Sequence, residues 1–151
     1  MRDCFLCFFV LFGLGCTSAS TLPQSISEMD FSNDGGGLVD VGRYVGVIAL
    51  EGVSVEKAIE SSLDSLSSCG FYDISQDANE PIVFAVHPST AYHFNMVVGL
   101  YFKPNMEETL LKVIVQASTP LSFPGTTGTR IYDSMRIYKR LVEGITDDLS
   151  D

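Results

Sequence analysis

Tyr92-His93-Phe94-Asn95-Met96-Val97-Val98-Gly99-Leu100-Tyr101-Phe102-Lys103 is the stretch on which the fold turns. Tyr92, Phe94, Met96, Val98, Leu100 and Phe102 fall on one side of an alternation, and His93, Asn95, Val97, Gly99, Tyr101 and Lys103 on the other. A period of two sends successive side chains to opposite faces of a sheet, so the run predicts a central strand with one buried face and one largely wet face. Further strands are expected at Phe71 to Gln76, Ile82 to His87 and Leu110 to Ala117. The breaks Asp77-Ala78-Asn79-Glu80-Pro81, Pro88-Ser89-Thr90 and Lys103-Pro104-Asn105 are rich in turn formers. They are too short for helical crossovers, which predicts antiparallel pairing.

Outward from these strands the period changes. Tyr44-Val45-Gly46-Val47-Ile48-Ala49-Leu50 is β-rich and reads as a buried strand. Ser54 then offers a helix cap, Val55, Ala58, Ile59, Leu63 and Leu66 recur at helical spacing, and Gly70 supplies a left-handed stop. Ser61, Ser62, Ser65, Ser67 and Ser68 read as the solvated face of that helix. Between Arg130 and Ile145, the residues Ile131, Met135, Tyr138, Val142 and Ile145 form a second helical stripe. The order β-α-β-β-β-β-α predicts a two-layer α+β domain over 42–146, with a mainly antiparallel sheet of about five strands and two helices on one face.

The N-terminal region has a different character. Met1-Arg2-Asp3 is followed by an uncharged run from Cys4 to Cys16 that ends in Gly13-Leu14-Gly15-Cys16 and turns polar at Thr17. As a helix it would span roughly 20 Å, short of the roughly 30 Å of a hydrocarbon core, so it reads as a signal-peptide core. Small residues before a Cys at the end of such a run resemble the lipobox of bacterial lipoproteins. The resemblance implies a signal peptide at 1–15, cleavage before Cys16, lipid on Cys16, and membrane attachment through that lipid. Ordinary cleavage after Ser18 or Ser20, or an uncleaved anchor, are the alternatives. From 16 to 41 the chain is rich in Ser, Thr, Asp and Gly and reads as a flexible tether, holding the domain on the order of 25 to 30 Å from the bilayer. Residues 147–151 read as an acidic end. A small α+β domain behind such a leader is similar to the small envelope lipoproteins of bacteria, which implies a place in the cell envelope, on the periplasmic face of an outer membrane if the source has one.

Across the 151 residues, 19 Asp and Glu outweigh 9 Lys and Arg, for a net charge of −10. An average surface of that sign repels a phosphate backbone and argues against nucleic-acid binding. Few residues suggest chemistry. His87 and His93 flank a turn and, with Asp73 or Glu80, could be imagined around a metal, but no HExxH or paired-Cys pattern accompanies them. Cys69 reads as a small buried hydrophobe, and Glu107-Glu108 as a solvated turn pair. Neither a Gly-x-Ser-x-Gly elbow nor a P-loop ending is present. No catalytic residue, metal or cofactor is therefore expected. The loop Gly125-Thr126-Thr127-Gly128-Thr129-Arg130, just ahead of the last helix, is the candidate ligand site, because N–H groups at a helix start, hydroxyls and an Arg suit an anion. The wet sheet face around His93, Val97, Tyr101 and Ile114 is a second candidate contact surface. The reading that follows is a membrane-anchored envelope lipoprotein with a non-enzymatic binding or assembly role and an envelope protein as partner. A small-molecule or anion-binding module is the alternative, with hydrolysis behind it.

Overall fold

The computed structural model describes residues 19–27, 29–32, 36–40, 42–87, 95–117 and 127–150, with backbone only at 40 and 127–132. Its elements are β1 (Gly37–Asp40), β2 (Arg43–Glu51), α1 (Val55–Ser68), β3 (Asp73–Gln76), β4 (Ile82–His87), β5 (Met96–Asn105), β6 (Glu108–Ala117) and α2 (Thr127–Asp148). The strands form one sheet in the order β1-β2-β6-β5-β4-β3, and every neighbouring pair is antiparallel. This is the expected α+β architecture, with β5 well inside the sheet as its alternation required. One strand is additional. β1 comes from the segment read as tether, and its Gly37 and Leu38 pair with Val45 and Tyr44 of β2.

The β5–β6 hairpin runs past the break expected at Lys103 to Asn105. Pairing continues to Asn105 opposite Glu108, and the chain turns at Met106, which takes a positive φ of 51°. Pro104 is tolerated inside β5 because β4 has already left its side. The last β4 partner is Ile82 opposite Tyr101, and the N–H of Phe102 reaches back to the Pro81 carbonyl at 3.0 Å. Alternation turns the nitrogen of Pro104 the same way, where no ladder bond is lost.

α1 begins as expected, with Ser54 accepting the Lys57 N–H at its hydroxyl, 3.3 Å away. It ends at Gly70, whose φ of 87° lets its own N–H reach Ser67 O and the Phe71 N–H reach Leu66 O. Leu66 and Phe71 then pack together in the core, completing a Schellman stop.

Both helices cover the same sheet face. Met96, Val98, Leu100 and Phe102 of β5 meet Leu111, Val113 and Val115 of β6, and Ala58, Leu66, Ile137, Leu141 and Ile145 close the layer from above. Two expectations are corrected here. Ser61, Ser62 and Ser65 are buried rather than solvated, and only Ser67 and Ser68 face water. Ser61 donates to the Ile145 carbonyl, Ser62 to Ala58 O, and Ser65 lies so close over Gly144 that a Cβ there would stand 2.6 Å from its hydroxyl. Small residues thus form the α1–α2 contact, and the Ser61 and Ser62 hydroxyls are satisfied on backbone carbonyls.

The stripe of α2 is also rotated from the expected one. Ser134, Ile137, Tyr138, Leu141 and Ile145 are buried, whereas Met135 and Val142 are half-buried, and the Ile131 side chain lies outside the described residues. Two contacts fix that rotation. Ser134 donates to Gly42 O at 2.9 Å, and the Tyr138 ring stacks 4.7 Å from Tyr44 in space that only glycine at position 46 leaves free. The helix continues through Asp148, beyond the expected boundary at 146, and Leu149 packs against the core.

Candidate functional site

β4 reads Ile82-Val83-Phe84-Ala85-Val86 without alternation, the mark of a strand covered on both sides. On the face away from the helices, Val45, Val47, Ile82, Phe84, Val97, Tyr101 and Ile114 form a second apolar cluster. It is not wet. Residues 19–27 and 29–32, within the supposed tether, lie across it as a strap, with Leu22 and Phe31 only 3% and 8% exposed. The expectation of a wholly flexible segment from 16 to 41 therefore gives way over these residues. Ala19, Ile26 and Met29 add apolar contacts at the margin, which composition alone did not reveal.

Polar contacts fix the strap's course. Its first turn, Ala19–Thr21, is closed by the Leu22 N–H on Ala19 O, and the Gln24 amide donates to the carbonyls of Ala19 and Leu22. The Tyr101 hydroxyl then donates to Pro23 O at 2.9 Å, its ring occupying the space that Gly99 leaves beside it. The Glu80 carboxylate accepts the Ser25 hydroxyl at 2.9 Å and the Ile26 N–H at 2.6 Å. Glu80 is in turn set by a turn in which the Asp77 carboxylate accepts the N–H groups of Asn79 and Glu80, bonds that hold the Asp77 carboxyl below the usual carboxylate range. Further along, Lys112 donates to the Asp30 carbonyl, and the ammonium groups of Lys103 and Lys112 stand 5.4 and 6.0 Å from the Phe31 ring.

The electrostatics are those of a fastening. Burial pushes the Tyr101 phenol above its ordinary range against the opposing pull of Arg43, so it stays a neutral donor. Burial lowers Lys112, with Asp30 working the other way and Arg43 reinforcing the fall. Asp30 is held low, chiefly by the hydroxyl and N–H of Ser32.

The residues singled out in the sequence are scattered. Cys16, His93, Gly125 and Thr126 lie outside the described residues, while Thr127 to Arg130 form the first turn of α2 with their side chains undescribed. His87 rests edge-on against Phe71 at the end of β4 opposite Glu80, and Glu80 is engaged by the strap, so these two are not assembled around one point. Among the described residues no group of three His, Cys, Asp or Glu is placed to hold a metal. Glu107 and Glu108 are parts of the hairpin: Glu107 O accepts the Gly52 N–H, and Glu108 accepts the Asn105 amide. Val97, Tyr101 and Ile114 lie under the strap and are not an open contact surface.

Open depressions are present at the surface of the described residues. One, of about 360 Å³, runs between the end of α1 and the second half of α2, lined among others by Asp64, Ser65, Cys69, Arg140 and Glu143. Burial pushes the Cys69 thiol up, and Arg140 offsets only part of that, which favours the protonated thiol over the thiolate. Another, of about 470 Å³, lies between the turn at Gly52 to Glu56 and the β5–β6 hairpin end.

No protein-family model matches the chain, and no curated protein matches it in sequence. Solved structures do. A START superfamily protein from Mycobacterium smegmatis is 12% identical over 71% of this chain and 98% of its own, with a TM-score of 0.49. A protein from Thermus thermophilus is 10% identical over 71% and 96%, with a TM-score of 0.43. A conserved protein from Geobacillus kaustophilus is 15% identical over 72% and 95%, with a TM-score of 0.44. These are distant likenesses, and the functional reading rests on this chain's own residues.

Proposed function

We propose that the protein is a membrane-anchored lipoprotein of the cell envelope with a non-enzymatic binding or assembly role. The observation that carries the reading is the packing of the chain from Ala19 onward against the sheet. Cleavage before Cys16 leaves that packed segment whole, as does cleavage after Ser18. Cleavage after Ser20 would instead remove Ala19, the residue whose carbonyl closes the first turn of the strap. The interior hydroxyls support the non-enzymatic part: Ser61, Ser62, Thr109 and Ser134 each donate to a backbone carbonyl, so their chemistry is used in holding the fold. An anion site ahead of α2 keeps one supporting observation, since Thr127 to Arg130 open a helix whose first N–H groups lack intrahelical partners.

The test is metabolic labelling with a radioactive fatty acid, followed by affinity capture of the full-length protein from its own membranes. Cys16→Ser should abolish labelling and release the protein from the membrane fraction, and the lipidated form should retain a stoichiometric envelope protein that the released form loses. Membrane attachment that survives Cys16→Ser would overturn the anchoring. A turnover signal abolished by His87→Ala or His93→Ala would overturn the non-enzymatic role.

A further inference from the structure

If Cys16 carries the lipid, the length of the leash is set by where the chain first becomes part of the domain. That point is early. Ala19 touches the second apolar cluster and Leu22 is buried in it, so only Thr17 and Ser18 separate the lipidated residue from the packed strap. At no more than about 3.6 Å per residue, the three steps from Cys16 to Ala19 reach about 11 Å. A freely jointed tether from 16 to 41 would have given more than twice that distance.

We propose that the strap holds the domain directly against the bilayer, with the strapped sheet face as its membrane-side surface and the two helices facing away. The inference rests on the lipoprotein reading and adds to it a distance and an orientation. Charge placement favours the same orientation. The strapped side presents Lys103 and Lys112 around Phe31, with Asp30 beside Lys112 and Glu80 against Ile26, while on the opposite layer α1 exposes Glu56, Glu60 and Asp64 against Lys57 and α2 exposes Glu143, Asp147 and Asp148 against Lys139 and Arg140, so that the helical layer carries the excess of acid. Anionic headgroups repel the helical layer and attract the lysines. The partner of this surface is thus a phospholipid headgroup layer, and the surface left free for a protein partner is the helical one.

The experiment uses the full-length lipidated protein in vesicles of phosphatidylethanolamine and phosphatidylglycerol carrying an acceptor dye on a fraction of the headgroups. In a Cys69→Ala background, a donor dye is attached at Thr21→Cys on the strap or at Lys57→Cys on α1, both exposed positions. Energy transfer should be several-fold stronger from position 21 than from position 57. Inserting a Gly/Ser segment of about twenty residues between Ser18 and Ala19 should bring the position 21 signal down to that of position 57, because such a coil spreads over roughly 25 Å. Weak transfer from position 21 in the labelled, membrane-bound protein, or a signal indifferent to the insertion, would overturn this proposal alone. Absence of fatty-acid labelling on Cys16 would overturn the lipoprotein reading and this one together.

Discussion

The two faces of the sheet are both dry, but they are covered by different means. Over one face lie α1 and α2, whose apolar residues recur at helical spacing and whose mutual contact is made by Ser61, Ser65 and Gly144. Over the other lies a strap whose described residues form no strand and one short turn of helix, tied to the domain by Tyr101 and Lys112 of the sheet and by Glu80 of the β3–β4 turn, which reach its backbone at Pro23, Asp30 and Ile26. A helix satisfies its own N–H and C=O groups and needs only apolar surface beneath it. A strap must borrow hydrogen bonds from the domain, which is why Glu80, Tyr101 and Lys112 sit where they do. The helical layer should therefore be inseparable from folding, and the strap detachable from a sheet that survives.

The most severe way to break the comparison is on the helical face. Leu141 is fully buried between the helices and the sheet, so Leu141→Asp places a charge with no partner in the core. The cost should be several kcal/mol, most of the roughly 5 to 15 kcal/mol available to a small domain, and thermal melting should show a chain that is largely unfolded. Met135→Asp, on the half-buried flank of the same helix, should be much milder. Equal melting temperatures for the two variants would mean that α2 does not present the stripe described above.

On the strapped face the same kind of change should have a bounded effect. Leu22→Ala or Phe31→Ala removes a side chain whose burial is worth about 1.5 to 3 kcal/mol, yet the loss cannot exceed the free energy with which the strap docks. Once the strap is off, further damage to it changes nothing. Hydrogen exchange should show amides of 19–32 losing protection while those of α1 and β5 keep theirs, and circular dichroism should be nearly unchanged. Global unfolding by Phe31→Ala would show that the strap is part of the folding core.

The difference also explains what the sequence made readable. Helix α1 was legible because Ser54, the apolar spacing and Gly70 are local signals, and the strands because Met96 to Phe102 alternate. The serines of α1 misled, since a hydroxyl that bonds a carbonyl one turn back or on a neighbouring helix can be buried without leaving a polar atom unsatisfied, and composition does not disclose its partner. The strap was hidden for another reason. Leu22, Ile26, Met29 and Phe31 follow no period among Ser, Asp and Gln, so they resemble linker. Their complement was visible on the sheet, where Ile82, Phe84, Val97, Tyr101 and Ile114 are too apolar for a face left in water. The candidate loop from Gly125 to Arg130 was proposed from residue chemistry alone, and the side chains that would decide it lie outside the described residues.

The subtlest test compares two tyrosines, one under each cover. Tyr101 on the strapped face and Tyr138 on the helical face both have phenols raised above the ordinary value of 10.0, Tyr101 by burial against the opposing charge of Arg43, Tyr138 by burial with Tyr44 adding to it. In each case the folded protein keeps a proton that the unfolded chain releases as pH passes 10, so unfolding becomes coupled to proton loss and stability falls as pH rises through that range. Below that range neither tyrosine contributes to the pH dependence. Tyr101→Phe keeps the ring against Phe84 but removes the hydrogen bond to Pro23 O, and should cost about 1 kcal/mol at neutral pH. The same substitution should make the alkaline loss of stability shallower without abolishing it, because Tyr138 still titrates beneath α2. Denaturant midpoints measured at pH 8 and at pH 10.5 give both numbers. An alkaline slope unchanged by Tyr101→Phe would mean that the phenol already ionises at its ordinary value in the folded state, and that the strap does not exclude water from the sheet beneath it.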